Sequence, residues 1–312
     1  MLKGNRSFRR FIINPHAGKI RGKKKLDRFL KTIKDHFDPD TTTIEFTKGR
    51  FHATEITARA VRDGIDTVFS VGGDGTHNEV IHGINKDHIV LGLIPAGSGN
   101  DFVLGLRLPK DPHKCLVKMK EYTARQVDLG KVNEHSFLNV MGCGIDADVI
   151  HLLEGGRNYA SGFYHALKIH RPKKLKLTID GREYLYENAV IAAVANGLFF
   201  GNGMMISPHS KLNDGLLNII VVHDIKKIQL AYLFPLLYIG QHIKLKKWVT
   251  EYKGSNIVIE PDRPTAFQRD GELFEASKVE ISVIKNFLNV LVPDIHNGKN
   301  SIFIPGPRSE EI

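Results

Sequence analysis

The sequence has few cysteines, and their scarcity excludes two kinds of stabilised scaffold. Among 312 residues there are only two, Cys115 and Cys143. Two cysteines are too few for a disulfide framework or a zinc site built on cysteines, and such usage is typical of a reducing compartment. The 15 histidines form no H-E-x-x-H motif, so the sequence predicts no zinc site. We therefore expect both thiols to be small buried hydrophobic groups.

The sequence also lacks an apolar run long enough to cross a bilayer. The first 15 residues contain only a three-residue apolar run, which is too short for the apolar region of a secretory signal. The most apolar stretch, residues 228–240, has about half the length that a membrane span needs and contains Pro235. We expect a cytoplasmic protein that touches a membrane only peripherally.

Acidic residues are fewer than basic ones, and the imbalance indicates a polyanionic partner. Lys and Arg number 44 and Asp and Glu 34, which gives a net charge of +10. No helix-turn-helix, RNP-type aromatic set or zinc finger supports nucleic acid, so we predict none. Lysine clusters at 173–176 and at 244–247, before Trp248, suit an anionic membrane surface, although ordinary solvated lysines would produce the same pattern.

The length and the order of the apolar segments predict two domains. In residues 1–127 short apolar strands alternate with helices, which indicates a parallel sheet covered by helices. From residue 128 to 294 the pattern changes to strands separated by hairpin turns, which indicates antiparallel β structure. The tail, 295–312, is expected to be loosely held and to pack back on the first domain. The predicted strands of the first domain are 11–14, 42–47, 67–71 and 90–94, and its predicted helices are 23–37, 52–63 and 77–84.

A glycine-rich turn, GGDGT at residues 72–76, separates an apolar strand from a predicted helix. Glycines allow a tight turn and close approach of a ligand, and the free N–H groups of the helix start attract phosphate. The motif has neither Walker nor Rossmann spacing. A plain strand-to-helix turn in which Thr76 and Glu79 form a capping box is the alternative.

A second glycine-rich segment, PAGSGND at residues 95–101, follows the next buried strand. Because both segments follow neighbouring parallel strands, we expect the two turns to lie side by side, where open α/β sheets bind ligands. Helix capping is the alternative role for Asn100 and Asp101. Two acidic turns stand in the second half, at Asp214 and Asp270, and each resembles an ordinary hairpin turn when taken alone.

Five segments together resemble the diacylglycerol kinase catalytic family, which includes bacterial soluble lipid kinases and sphingosine kinases. They are NPHAGK from Asn14, GGDGT with Glu79, PAGSGND, KLNDGL from Lys211, and RDGE from Arg269, in this order over nearly the whole chain. GGDGT alone is shared with NAD kinases. The rival hypotheses are therefore an NAD kinase and a non-catalytic regulator that binds membranes or polyanions.

The resemblance implies a fold of class α/β plus all-β, with an N-terminal phosphofructokinase-like domain and a C-terminal β-sandwich. It implies an ATP- and Mg²⁺-dependent lipid kinase, with diacylglycerol as the expected substrate, phosphatidic acid as the product and a homodimer as the expected assembly. The residues that it implies for the nucleotide are Asn14, Thr47, Gly72, Gly73, Asp74, Gly75, Thr76, Glu79, Ser98 and Asn100.

The same resemblance implies roles for the acids of the second half. Asp270 matches the general base of the family. Asp214 and the backbone of Leu216 match a structural Mg²⁺ site, which Asp101 and Asp128 join as a carboxylate network. The chain departs from the family at Lys211, where relatives carry an acidic or neutral residue near this metal, and at Ser98, where threonine is usual.

Overall fold

The computed structural model describes residues 7–84, 89–153, 159–294 and 301–303, and the chain within them divides into two compact units. The first unit contains the described residues up to Val127, 286–294 and Ser301, and the second contains residues 128–285 together with 302–303. The predicted second domain ran to residue 294. The last of these residues belong to the first unit because their strand pairs there. Apart from 301–303, the predicted tail lies outside the described residues.

The first unit is built on a parallel sheet with the strand order β2-β1-β3-β4-β15. The chain passes from β1 to one neighbour, β2, and then crosses to the other side for β3. Ligands of open α/β sheets bind at such a reversal, beyond the carboxyl ends of the strands. The strands are β1 (Arg9–Ile13), β2 (Thr42–Phe46), β3 (Thr67–Gly72), β4 (Val90–Pro95) and the second half of β15 (Val279–Val292).

Helices and aromatic side chains cover this sheet. Phe11 of β1 stacks on Phe69 of β3 with 4.5 Å between ring centroids, and Phe37 meets both rings edge-on. Each such pair contributes about 0.5–1.5 kcal/mol beyond the burial of its area. The helices are α1 (Lys23–His36), α2 (His52–Arg62), α3 (Asp74–His82), α4 (Asp101–Gly105) and α5 (Pro112–Lys118), with short 3-10 turns at Pro39–Thr41 and Met119–Glu121.

The second unit is dominated by antiparallel strands. The long strand β9 pairs with β8 along its first half and with β7 and β10 along its second half. The strands are β5 (Thr123–Val132), which begins in the first unit, β6 (His135–Phe137), β7 (Val140–Gly144), β8 (Lys173–Ile179), β9 (Arg182–Ala195), β10 (Leu217–His223), β11 (Val249–Gly254), β12 (Asn256–Pro261), β13 (Thr265–Arg269), β14 (Glu272–Ala276) and the first half of β15.

Alternate residues of β9 enter two different cores. Ala192 and Val194 pack among side chains of the other strands, whereas Ala193 and Ala195 belong to a cluster that contains Phe163 and other helical residues. The second half of the strand is therefore buried on both faces. The helices are α6 (Ile145–Leu153), α7 (Tyr159–Ile169) and α8 (Lys227–Leu237), followed by a 3-10 turn at Gln241–Lys244.

The fold class is confirmed, and the differences lie in the details of the second unit. Helices α6, α7 and α8 were not predicted, because their apolar residues resemble buried strands in a region read as β. Strand β15 is continuous from Val279 to Val292, although Asn286 within it has a positive φ of 52°. Both cysteines are buried and free, as expected. Among the described helices, none has the length and hydropathy of a membrane span.

Candidate active site

The carboxyl ends of the parallel strands bring most of the predicted nucleotide residues together. Asn14 follows β1 and its amide donates to the carbonyl of Val71 at the end of β3 (2.9 Å). Thr47 follows β2 and donates to the carbonyl of Ile13 (2.9 Å). Because the strands are parallel, these residues and both glycine turns lie along one edge of the sheet.

The two glycine turns lie side by side, as the sequence predicts, and their backbones touch. The amide of Gly97 donates to the carbonyl of Gly72 (3.0 Å). A Cβ on Gly97 would lie 2.4 Å from the Cα of Gly73, which is a backbone atom that no change of rotamer can move. Only glycine therefore permits this approach, and the close contact is a packing requirement of the two turns.

Helix α3 begins inside the first glycine turn, three residues earlier than predicted. Its first residue is Asp74 and its N-cap is Gly73, so Thr76 lies within the helix rather than at its cap. The capping-box alternative is therefore wrong. Thr76 Oγ1 instead accepts a hydrogen bond from Asn14 Nδ2 (3.2 Å), and Glu79 Oε2 accepts one from the amide of Ala53 (3.2 Å). The helix start is free of side-chain caps and presents amide donors to a ligand.

Asp74 is the acidic side chain at the start of α3. Its Oδ2 accepts a hydrogen bond from the amide of Asn100 (2.6 Å), whereas its Oδ1 is buried without a partner. Burial raises the pKa of Asp74 above its usual range, and the amides of Asn100 and Phe102 partly oppose the rise. An unpartnered carboxylate oxygen at a phosphate cradle fits a hard divalent cation such as Mg²⁺, which proteins bind through one or two carboxylates plus substrate phosphates.

Asn100 holds the second glycine turn in shape. It has a left-handed backbone (φ 58°, ψ 44°) immediately before α4, and its side chain exchanges two hydrogen bonds with the backbone of Gly97 (2.8 and 3.1 Å). The side chain makes no cap hydrogen bond to α4. Asn100 therefore occupies the N-cap position of α4, but its side chain stabilises the glycine turn through Gly97 instead of capping the helix.

A cleft of about 550 Å³ opens where these elements meet. Ser98 lines it, whereas three of the predicted nucleotide residues, Thr47, Gly72 and Asn100, do not. Its volume falls within the range of small-molecule sites. The residues that line it are Asn14, Ala17, Gly18, Gly73, Asp74, Gly75, Thr76, Glu79, Gly97, Ser98 and Gly99.

Asp270, in the second unit, lies in the two-residue turn between β13 and β14. Asp270 and Gly271 both have positive φ (44° and 89°), which is the type I′ hairpin geometry favoured by Asp-Gly. Its carboxylate accepts hydrogen bonds from the amides of Leu138 (2.6 Å), Asn139 (3.0 Å) and Val140 (3.1 Å). The turn is thus a plain hairpin in form, and three backbone donors fix the orientation of its acid.

Two buried asparagines beside Asp270 were missed by the sequence analysis. Asn196 donates from Nδ2 to the carbonyls of Asp128 (2.9 Å) and Leu138 (2.8 Å), and so ties the Asp128 strand to the segment that holds Asp270. The Oδ1 atoms of Asn139 and Asn196 are buried without hydrogen-bond partners. In the sequence, each of these asparagines is a polar residue within or next to an apolar strand segment. That pattern does not distinguish a buried polar residue from the end of a strand.

The predicted structural metal residues have hydrogen-bond or ion-pair partners within the chain. Asp214 Oδ1 accepts from the amide of Leu216 (3.1 Å), and Asp214 Oδ2 lies 3.1 Å from Lys253 Nζ. Asp128 Oδ2 accepts from the amide of Gly215 (2.7 Å). Asp101, in the first unit, is buried as the first residue of α4. Within the described ranges, no group of three or more His, Cys, Asp or Glu side chains could hold a metal ion.

A small apolar cavity in the second unit gives no room for a lipid chain. Phe200 and Met204 line it together with Phe163 and Phe234, whose rings stack at 3.9 Å. Its volume is about 30 Å³, which is comparable to the space of one water molecule. In this arrangement these side chains act as core packing.

Comparisons with known proteins agree with this architecture. The sequence model of the diacylglycerol kinase catalytic domain matches residues 9–132, and that of the YegS C-terminal NAD kinase beta sandwich-like domain matches residues 140–292. The second match identifies the antiparallel unit as a β-sandwich. Together the two models span most of the chain.

Curated relatives match over most of their own lengths. The chain is 29% identical to a diacylglycerol kinase of Staphylococcus haemolyticus over 307 residues, which cover 94% of this chain and 90% of that one. It is 28% identical to a diacylglycerol kinase of Mycobacterium tuberculosis over 263 residues, or 80% and 84% of the two chains.

A solved structure shares the fold. The crystal structure of a diacylglycerol kinase from Bacillus anthracis superposes with a TM-score of 0.72 at 23% identity and covers 94% of this chain and 99% of that one. The family models, the curated relatives and the glycine-turn architecture agree with one another. The chain belongs to the diacylglycerol kinase family and is a kinase that transfers a phosphoryl group to an alcohol.

Proposed function

We propose that the protein is an ATP- and Mg²⁺-dependent lipid kinase that converts diacylglycerol to phosphatidic acid. The observation that carries the proposal is the cleft of the first unit, where two touching glycine turns and the uncapped start of α3 surround Asp74. A triphosphate needs backbone donors and close approach, and this edge provides both. The family match supplies the class of acceptor, an alcohol.

In this proposal the first unit positions the nucleotide. The amides at the start of α3 and around Gly97 bind the phosphates, and Asn14 orients the hydroxyl of Thr76 beside them. Asp74 Oδ1 would hold Mg²⁺, and the ion would supply positive charge to offset the charge that develops on the transferring group. The chain's own contribution is mainly positioning, which is what phosphoryl transfer requires of a protein.

Asp270 is the proposed general base. Its carboxylate accepts the proton of the lipid hydroxyl while that oxygen forms a bond to the γ-phosphorus and the bond from the γ-phosphorus to the bridging oxygen of ADP breaks. The proton is then held on the carboxyl group, and ADP leaves. The three amides from Leu138, Asn139 and Val140 support this role because they fix the direction of the carboxylate.

A surface on α7 and α8 supports peripheral contact with an anionic membrane in the cytoplasm. The two helices pack together through Phe163 and Phe234, and exposed lysines at 168, 226 and 227 border the apolar side chains. This mixture suits insertion at the headgroup boundary of an anionic bilayer. We call it the α7–α8 surface; its exposed members are Tyr164, Ile169, Ile228, Tyr232, Tyr238 and Ile239.

One of the two predicted lysine clusters has a simpler explanation. Lys174 pairs with Glu187 (2.5 Å) and Lys176 with Glu183 (2.7 Å) across β8 and β9, so this cluster is largely neutralised. The other cluster follows α8, and Lys247 lies over the ring of Trp248 at 5.6 Å. Only the second cluster extends the α7–α8 surface along the chain. A homodimer remains part of the proposal and is tested by light scattering of the purified protein.

The deciding experiment identifies the product. The protein is incubated with ATP, Mg²⁺ and a total lipid extract, in parallel with NAD in place of lipid, and the products are analysed by mass spectrometry. We expect phosphatidic acid and no NADP. Formation of NADP would establish an NAD kinase, and absence of any phosphorylated product, with ATP bound, would establish a non-catalytic binding protein.

A further inference from the structure

The loop before β10 contains an ion pair between a buried aspartate and an exposed lysine, at the position where the family resemblance implies a structural Mg²⁺. Asp214 Oδ2 lies 3.1 Å from Lys253 Nζ, and the Asp214 side chain is only 6% exposed. The other oxygen, Oδ1, accepts a hydrogen bond from the amide of Leu216 (3.1 Å). Each carboxylate oxygen therefore already has a partner within the chain.

The sheet fixes the position of this lysine. Lys253 lies on β11 opposite Asn218 of β10, and the next pair is Gly254 with Leu217. Asp214 precedes β10 by only a few residues. Antiparallel pairing sets which residues face each other, so the register of β10 and β11 places Lys253 next to this loop. The Lys253 side chain is 39% exposed, so the pair joins a surface lysine to a buried carboxylate.

The second carboxylate of the implied network is also engaged by the loop. Asp128 is 1% exposed, its Oδ2 accepts from the amide of Gly215 (2.7 Å), and its own amide donates to the carbonyl of Leu212 (2.6 Å). Direct hydrogen bonds therefore connect Asp128 to the loop at Leu212 and Gly215. Mg²⁺ requires six oxygen ligands at about 2.0–2.1 Å, whereas a protonated lysine offers no lone pair.

The charges around the loop disfavour a further cation. Lys285 lies over Gly215, because a Cβ built there would be 3.0 Å from Lys285 Nζ. Lys211 is in the loop itself. Asp214 is thus paired with Lys253, Lys285 lies against the same loop and Lys211 is part of it, so a divalent ion would add to the positive charge of the loop. The residues present do not fit a structural Mg²⁺.

We propose that the ammonium group of Lys253 takes the place of a structural metal at Asp214, so that this loop is held without Mg²⁺. The inference concerns the loop before β10 and does not rest on the proposed function. The second unit then needs no Mg²⁺ for its fold, and any Mg²⁺ that the protein requires acts elsewhere.

Thermal unfolding of the full-length, nucleotide-free protein tests the inference. The wild-type midpoint is expected to be the same in EDTA and in millimolar Mg²⁺. Lys253→Met should lower the midpoint by several degrees, because it leaves Asp214 buried and unpaired, and should make the midpoint rise with Mg²⁺. Lys253→Arg should behave as the wild type. Lys174→Met, which breaks an exposed pair with Glu187, should change neither quantity.

A wild-type midpoint that rises with Mg²⁺, with the rise abolished by Asp214→Asn, would overturn the inference. This comparison needs no Lys253 variant and remains decisive if Lys253→Met does not fold. Equal midpoints for the wild type and Lys253→Met in EDTA would also overturn it. Because no ATP or lipid is present, neither result bears on whether the protein is a lipid kinase.

Discussion

Gly75→Ala separates nucleotide binding from folding more cleanly than any other single change in the cleft. Gly75 is the second residue of α3 and lines the cleft, and a Cβ added to it meets no protein atom within 4 Å. The methyl group therefore extends into open space. Alanine in place of glycine stabilises a helix by up to about 1 kcal/mol, so we expect the melting temperature to stay the same or rise.

ATP binding should nevertheless fall. The methyl group occupies space where a phosphate approaches the helix start, and the loss of one charge-assisted hydrogen bond is worth roughly 1.5–3 kcal/mol. At about 1.4 kcal/mol per factor of ten, this loss raises the dissociation constant for ATP roughly 10- to 150-fold. Isothermal titration calorimetry with ATP and Mg²⁺ measures the change, and differential scanning fluorimetry measures the stability of the same samples.

Two matched glycine variants complete the test. Gly97→Ala should lower both stability and ATP affinity, because its Cβ would lie 2.4 Å from the Cα of Gly73. Gly49→Ala, whose Cβ also meets nothing within 4 Å and which does not line the cleft, should change neither. A Gly75→Ala protein that binds ATP as tightly as the wild type would refute the assignment of α3 as the phosphate site.

The remaining predictions concern buried charges and the membrane surface. Burial raises the pKa of Asp146 to about 6 from its usual value of 3.8, so Asp146→Asn should stabilise the protein by about 3 kcal/mol above pH 6. The gain should disappear as the pH falls below 3.8, and urea unfolding at both ends of this range measures it. Burial lowers the pKa of His77 to about 3, so the contribution of His77 to stability should be lost as the pH falls from 6.5 towards 3. His77→Gln should flatten that part of the pH profile. Replacing Tyr232 and Ile239, 76% and 61% exposed, by serine should weaken co-sedimentation with anionic vesicles severalfold without lowering the melting temperature; unchanged sedimentation would exclude the α7–α8 surface.

The first unit could be predicted because its signals are local. A short apolar strand followed by a glycine turn and a helix specifies both the local structure and its place at the sheet edge, as at Gly72 and Gly97. The start of α3 was placed too late because the helix begins within the glycine motif, where glycine disfavours a helix in isolation. The residue before the helix, Gly73, contacts Gly97 of the next loop, and a contact between distant residues is not visible in a local pattern.

The second unit was less accessible because its determinants are distant in sequence. The amides that hold Asp270 come from 130 to 132 positions away. Lys253 reaches Asp214 across 39 positions through the register of β10 and β11. Helix α8 is apolar nearly all round and contains Pro235, so its pattern did not distinguish a helix from buried strands. Tertiary pairing therefore decided what local patterns could not.

The measurement that tests the account most directly is transfer of labelled γ-phosphate from ATP to diacylglycerol by Asp270→Asn and by a matched control, Asp180→Asn. Asp180 lies in an identical Asp-Gly turn between β8 and β9, with a φ of 45°, and accepts the amides of Ser255 (3.2 Å) and Asn256 (2.9 Å).

Both variants should lose some stability, because each turn acid accepts backbone amides that asparagine satisfies less well. We expect Asp180→Asn to retain wild-type transfer and Asp270→Asn to lose it by at least about a thousandfold, within the range attributed to general-base catalysis, while ATP affinity stays the same. Normal transfer by a folded Asp270→Asn protein would contradict the account, because the acid at position 270 would then be only a structural part of its turn.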